Sequence, residues 1–547
     1  QPLEMLAWSF ATPGVFLRAM AVLERQLIAW CFDRWVYTRI DESAIPGMLQ
    51  AVLDAVQSES KKGFPFNLLA FIDQHSVSLL DGFLGMFPAL DAPERQHLRD
   101  FLLGNQGDEG SLGWRILNRL NQLKDERASL RKRIDALKKQ IDLLETQPAD
   151  EERDLRLNAC KEERTGLLVL ITRINKRLTL NFFTDEGLLP NYAFPEEGVT
   201  LKSVILRKRE VREQKDGEES RGRYSIENLD FQRSAEAALS ELAPENHFYA
   251  AAHQLSIEQV DLNLSRPETW RLCSQCHHCE NVTETQSNHS VCPQCGSPQW
   301  ADIGQQRTLL KLRQVYARAD SRFDRIGDDS DQREPVFYQR QLLVDIPRDA
   351  ITAAYKLESE SLPFGFEFVK RAVFREINFG QRGSEAEGFS VAGQIESRKG
   401  FRICSKCGMV KRDRLRPGQF AHALDCPYAK DVAEKDMQWL DSLYLYRELH
   451  SEAIRILLPL ADVAYSEVAR HSFIAGLNMG LKTYFKGDVN HLRVTEMIEP
   501  AGQTGSSRQY LVLYDSIPGG SGYLKELMRQ PGNLLTMLRE AHQRLSQ

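Results

Sequence analysis

Eight of the ten cysteines in this 547-residue chain fall into two tight sets, and their spacing constrains the fold more than any other feature. The first set is Cys273, Cys276, Cys279, Cys292 and Cys295, five thiols where a four-coordinate ion needs four. Zinc takes a tetrahedron of soft ligands, and a C-x-x-C turn delivers two of them at once. Cys292-Pro293-Gln294-Cys295-Gly296 is such a turn, with Gly296 free to adopt positive φ. Its partner is either Cys273 with Cys276 or Cys276 with Cys279. The first pairing is favoured, because Trp270-Arg271-Leu272 reads as a strand running straight into it. His277, His278 and His289 stand close enough to compete. The second set is Cys404-Ser405-Lys406-Cys407-Gly408 followed by His422 and Cys426, a closed group of three thiolates and one imidazole. The H-x-x-x-C spacing fits one helical turn. Two structural zinc ions are the expectation. A catalytic zinc is disfavoured, since no Glu stands beside a ligand His. A redox switch at Cys273, Cys276 and Cys279 is the competing reading. Clustered C-x-x-C pairs in a chain with no visible export signal favour metal over disulfides and point to a reducing, cytoplasmic compartment. Cys31 and Cys160 stand alone in helical stretches and read as inert buried thiols.

Around these sets the chain reads as mixed α+β and mostly helical. Residues 1–112 form a helical region, starting with a helix from Leu3 to Trp30. The chain begins with Gln1 in what reads as mid-domain helix, so a fragment or a split product is expected. Residues 113–180 read as an antiparallel coiled-coil hairpin. Ile116, Leu120, Leu123, Arg127, Leu130, Ile134, Leu137, Ile141 and Leu144 step by four and three, with one polar interruption at Arg127. Pro148 breaks this run, and Leu167, Ile171, Ile174 and Leu178 resume it. The charged faces read as solvated, or as an arm for a partner or DNA. Residues 181–265 form an α/β connector, with a strand at Val199–Leu206, a mixed-charge loop at Arg207–Arg223 and a short helix at Ala235–Leu242. Residues 266–350 hold a zinc ribbon and a basic stretch. Residues 351–547 form a C-terminal α/β zinc-binding domain, helical again over 433–480 and ending in a helix at Tyr523–Leu545. No run of 18 apolar residues exists, so no membrane helix is expected.

The net charge of −6 excludes a globally basic chain, so any nucleic-acid surface must be local. Two basic stretches adjoin the cysteine sets. One holds Arg307, Lys311, Arg313, Arg318, Arg322 and Arg325, with Tyr316 and Phe323 interleaved. The other holds Arg402, Lys406, Lys411, Arg412, Arg414 and Arg416, with Asp413 as the only acid. Lys311, Arg313, Arg318, Arg322, Arg325, Lys411, Arg412 and Arg414 are the candidates for phosphate contacts, and the aromatics for stacking on bases. A solvated, ion-paired face is the bland alternative. The sequence contains no G-x-x-x-x-G-K-[ST] loop, no Q-x-x-G-R-x-x-R segment, no G-x-S-x-G and no H-E-x-x-H. No residue is therefore singled out as catalytic. Asp515, in Tyr514-Asp515-Ser516-Ile517-Pro518-Gly519-Gly520, reads as a turn-capping residue.

Tyr510 to Tyr523, reading YLVLYDSIPGGSGY, resembles the signature of the MrfA-type zinc-binding domain that closes many superfamily-two DEAD/DEAH-box helicases. The cluster from Phe401 to Cys426 precedes it as in that family, with His422 where four cysteines are usual. Leu189-Pro190-Asn191-Tyr192-Ala193-Phe194-Pro195 and the ribbon at Trp270–Trp300 resemble its larger members, so the resemblance covers about 180–547. It implies a role in DNA unwinding or translocation, in repair or in bacterial antiphage defence of the DISARM or Druantia kind. It also implies ATP hydrolysis on a motor outside this stretch, in cis or in trans, and DNA or another defence-system subunit as partner. The expected function is the C-terminal non-motor module of a helicase. The alternative is a stand-alone zinc-binding scaffold subunit without its own motor.

Overall fold

The computed structural model describes residues 20–546 except 39–44, 105–109, 191–197, 209–223, 251–252, 284–288, 321–335, 359–363, 382–387, 398, 413–420, 424–425, 430–437, 459–465, 487–488 and 501–506. The start of the expected Leu3–Trp30 helix, most of the 207–223 loop and most of the Leu189–Pro195 segment lie outside these residues.

The first part is helical. α1 (Met20–Thr38), α2 (Leu49–Gln57), α3 (Phe66–Met86) and α4 (Ala92–Leu103) share one core with the two long helices that follow. α4 begins with a capping box in which Asp91 and Glu94 satisfy each other's backbone N–H groups. α5 (Leu112–Glu145) starts at the Ser111 cap and α6 (Glu151–Lys176) at the Asp150 cap. At 34 residues α5 is about 51 Å long. Leu120, Leu130, Leu137, Ile141 and Leu144 bury one stripe of it, and Leu167, Leu170 and Ile174 bury the facing stripe of α6. Arg127, the polar residue in the stripe, is only 1% exposed. Its guanidinium donates to Asp54 Oδ1 (2.8 Å) and Gln57 Oε1 (3.3 Å) on α2 and to Asn175 Oδ1 (3.3 Å) on α6. The interruption in the apolar repeat is thus the point where the hairpin is tied to the helical body. α7 (Thr179–Asp185) closes this part.

From residue 198 onward strands dominate, which corrects the expectation of a mostly helical chain. A five-stranded sheet has the order β2-β1-β8-β4-β3, built from β1 (Gly198–Lys208), β2 (Tyr224–Ser234), β3 (His247–Ala250), β4 (His253–Val260) and β8 (Gln314–Asp320). β8 comes from beyond the zinc ribbon and pairs in parallel with β1. α8 (Ala235–Glu241) packs on this sheet. Glu126 of α5 pairs with Lys202 of β1 and accepts from Gln314 Nε2 (3.3 Å) of β8, so the hairpin base is fixed to the sheet.

A ten-stranded sheet carries both cysteine sets. Its members are β5 (Glu268–Leu272), β6 (Cys279–Asn281), β7 (Gln306–Lys311), β9 (Tyr338–Asp345), β10 (Ile351–Lys356), β11 (Gly365–Gln381), β14 (Phe401–Cys404), β15 (Trp439–Leu457), β16 (Leu492–Pro500) and β17 (Ser507–Asp515). β12 (Gly388–Val391) and β13 (Gln394–Ser397) form a separate hairpin. β15, 19 residues long, overturns the helical reading over 439–457. Both of its faces are covered, so its apolar residues run on without the alternation that marks a half-exposed strand, and such a run does not separate strand from buried helix. β11 and β15 pair over most of their length and form the backbone of the sheet. α9 (Glu467–Phe485), α10 (Tyr523–Leu527) and α11 (Pro531–Leu545) cover one face, burying Leu477, Leu481, Leu524, Leu534 and Met537 against Phe366, Phe368, Ile454 and Ile456.

Candidate metal centres

The first centre forms where β5 delivers the chain into a knuckle. The Cys273 amide donates to His278 O (3.0 Å) and turns the chain back into β6. The opposing knuckle closes through Gly296 N to Cys292 O (2.8 Å), and Gly296 takes φ +76°. Together they bring Cys273 Sγ to 3.6 Å from Cys295 Sγ and Cys276 Sγ to 3.6 Å from Cys292 Sγ. A disulfide needs about 2.05 Å. A tetrahedron of about 2.3 Å zinc–sulfur bonds has edges of about 3.8 Å, which is the spacing found. All four sulfurs lie within 4.8 Å of one another. Hydrogen bonds from Cys273 and Cys276 hold the Cys292 thiol well below its ordinary value, while the same bonds and burial push Cys276 up.

Cys279, the fifth thiol, is not part of this set. It sits on β6 beside Trp270, and Arg375 Nη1 approaches its sulfur at 3.4 Å. Burial pushes it up to about 11, so it stays a thiol. The pairing of Cys273 with Cys276 is therefore the one adopted. His277 and His278 are not ligands either. The His278 ring lies tilted against Trp300, with centroids 5.1 Å apart, and His277 turns towards β9 and β16.

The second centre sits at the end of β14. Gly408 N donates to Cys404 O (2.9 Å), and Cys404 N to Met409 O (2.8 Å). Gly408 has φ +70°, and a Cβ there would lie 2.0 Å from Val260 O, so only glycine fits. Cys404 Sγ stands 3.9 Å from Cys426 Sγ, and His422 Nδ1 stands 3.8 Å from Cys407 Sγ and 3.9 Å from Cys426 Sγ. Cys407 donates a hydrogen bond that pulls Cys404 down to about 4. His422 and Cys426 sit on bends rather than on the expected helical turn. Trp439 lies against the imidazole at 4.9 Å. The knuckle is also stitched to the five-stranded sheet: Val260 N donates to Gly408 O (3.0 Å) and Gln259 Nε2 to Cys407 O (2.6 Å). Both quartets are closed, buried donor sets of the kind that structural zinc takes, and the chain carries two such zinc sites.

The basic stretches fall out differently. Arg412 pairs with Glu258 of β4 at 3.1 Å, and Arg402 pairs with Asp441 of β15. Lys411 lies 5.3 Å from the Trp439 ring centre. The acids that meet these cations come from distant sequence, which a local charge count misses. Lys311 ends β7 and Arg313 lies between β7 and β8, where its carbonyl accepts from Thr200 N (3.0 Å). Arg318 is on β8. Arg322, Arg325, Phe323, Arg414 and Arg416 lie outside the described residues. The Tyr316 hydroxyl donates to Asp261 Oδ2 (2.9 Å) at the hairpin base, an inward role rather than a stacking platform.

Asp515 ends β17 fully buried. Its carboxylate accepts from Ile517 N (2.9 Å), Ser521 N (2.6 Å) and the Ser521 hydroxyl, so it shapes the glycine loop as a cap. The loop lies in the part of the chain that matches a known family model. Residues 473–547 match the family model of the MrfA Zn-binding domain. The chain carries an MrfA-type zinc-binding region. The matched residues contain no cysteine, so the eight metal ligands all precede them. No curated protein matches. A solved structure of the DUF1998 helicase MrfA bound to DNA is similar at 12% identity with a TM-score of 0.25, over 71% of this chain and 38% of that one. A second, with DNA and AMPPNP, is similar at 13% identity with a TM-score of 0.21, over 64% and 28%. The chain thus spans about two fifths of the solved helicase it is compared with. Among the described residues, no helix is long and apolar enough to cross a membrane.

Proposed function

We propose that this chain is a non-motor module of an ATP-dependent DNA helicase or translocase, working beside a motor in cis or in trans. The match of residues 473–547 to the MrfA Zn-binding domain carries this reading. The two zinc sites support it, because they fix short knuckles against β4, β5 and β14 that no apolar core of their own would hold. In this reading Lys311, Arg313, Arg318, Lys411 and neighbouring cations meet phosphates, the module holds DNA against the motor, and the chain works in the cytoplasm in repair or antiphage defence.

Fluorescence anisotropy of the purified chain with a labelled DNA duplex at 50–200 mM salt (about the range over which phosphate contacts are lost) tests it. Arg313→Glu with Arg318→Glu is expected to weaken binding at least tenfold and to flatten the salt dependence. Unchanged affinity at low salt removes this stretch from the DNA contact. No measurable affinity of the parent chain for DNA overturns the reading.

A further inference from the structure

β9 and β16 are the two ends of a coiled strip of strands, β9-β11-β15-β17-β16. Among the described residues neither end strand has a second strand partner. The strip curls until its ends face each other. Val344, Phe374, Leu449, Ala453, Met497, Val512 and Tyr514, drawn from all five strands, share one buried core, and Phe374 stacks on Tyr514 at 4.3 Å. Between the two edges stands His277, the residue after the ligand Cys276, whose ring reaches the backbone of both strands.

The ring meets both strands through their backbones. Val344 N donates to Nδ1 at 3.2 Å, and Ile498 N lies 3.4 Å from Nε2. A neutral imidazole has one acceptor nitrogen, so it takes one of these N–H groups at a time. The shorter contact assigns it to Val344. The ring is thereby anchored on β9, and β16 rests against its other edge. Beyond the ring the seam widens into a cavity of about 590 Å³ lined by Arg340, Leu342, Val494, Glu496 and Arg470. Backbone groups alternate in direction along a strand, so those of Leu342 and Glu496 face this seam as those of Val344 and Ile498 do.

The same knuckle grips a third element. Ala392 N donates to Cys273 O (2.9 Å) and Gly393 N to Ser274 O (2.8 Å), which holds the turn between β12 and β13. A knuckle this short has its geometry fixed by metal–thiolate bonds. We propose that His277 is a positioning residue through which the first zinc site holds the seam between β9 and β16 closed. The C-terminal region is then coupled to that metal although it contains none of the metal's ligands. This inference rests on the first metal centre and not on DNA binding.

Hydrogen exchange read by mass spectrometry on the full chain tests it, with zinc content measured on the same samples. In the parent, the Val344 amide is expected to exchange more slowly than that of Ile498. His277→Ala should keep two zinc ions per chain, speed exchange of both amides about tenfold or more, and leave the β11–β15 pairing protected. Cys295→Ser should lose one zinc and show the same local pattern. His471→Ala, which lines the cavity without touching either amide, should change neither. Seam protection that survives His277→Ala, or survives loss of the first zinc in Cys295→Ser, overturns the proposal. So does a His277→Ala variant that sheds zinc or unprotects β11 and β15 equally, since the ring would then belong to the metal site or the core. A parent chain with no zinc at the first centre sinks the metal reading instead, and with it the coupling.

Discussion

At the scale of residues, ligand identity turns on where each sulfur points, and sequence spacing alone leaves that open. Cys273 and Cys279 are equally spaced from Cys276, yet one faces the quartet and the other faces Arg375. Substitution separates them. Cys292→Ser and Cys404→Ser should each reduce zinc from two per chain to one, whereas Cys279→Ser should keep both, as read by elemental analysis of purified protein. Loss of a zinc ion in Cys279→Ser would reassign the first site. The ligands of the second centre were legible because H-x-x-x-C after a C-x-x-C leaves few other roles for a histidine. Its local backbone was not, because metal ligation holds these residues on bends without a helix. The partners of the basic residues are hidden by sequence distance: Arg402 pairs with Asp441 and Arg412 with Glu258.

Among elements, the helical hairpin was the most legible, since a repeat of apolar residues over many turns has one cheap explanation. Its polar interruption has a structural answer in Arg127, which is buried while its partner Asp54 stays 54% exposed. Replacing Arg127 by Ala opens a gap and should cost about 2–3 kcal/mol of stability. Arg127→Met fills the stripe, and leaves Asp54 in water rather than stranded in the core. It should stay within about 1 kcal/mol of the parent in urea unfolding. Equal losses for the two variants would mean that the hydrogen bonds to Asp54, Gln57 and Asn175, and not the packing, hold the hairpin. β15 was misread for a reason that also lies at this scale. A strand covered on both faces has no period of two, and its partners β11, β7, β14 and β17 reveal it.

Across the whole molecule, the C-terminal glycine loop meets the N-terminal helices. Lys525 pairs with Glu94 at 3.0 Å, and Gly519 packs near Ala21 of α1. Behind this junction Glu452 is buried next to Asp515, and Gly522 N donates to it at 3.2 Å. Burial, and then the Asp515 charge, push Glu452 up from 4.5 to about 7. The folded chain therefore holds a proton that the unfolded chain releases near pH 4.5. Between about pH 4.5 and 7 the folded state binds more protons, so this group's contribution to stability falls as pH rises through that window and is level above it. Glu452→Gln should remove that decline and stabilise the protein above pH 7 by up to about 3 kcal/mol, read as the difference between denaturation curves at pH 5 and pH 8. Parallel pH profiles for parent and variant would show that Glu452 ionises normally.

The sequence by itself determined the two metal sets, the helical hairpin and the glycine-rich signature, because each depends on residues close together in the chain. A knuckle, a heptad and a tight turn are local solutions to local constraints. Only the tertiary structure decided which thiol is spare, that the second half is built on strands, that β8 returns to pair with β1, and that His277 lies between β9 and β16. Those outcomes depend on contacts between residues tens to hundreds of positions apart. No short-range pattern encodes them, because the free energy that selects them is gained only when the distant partners meet.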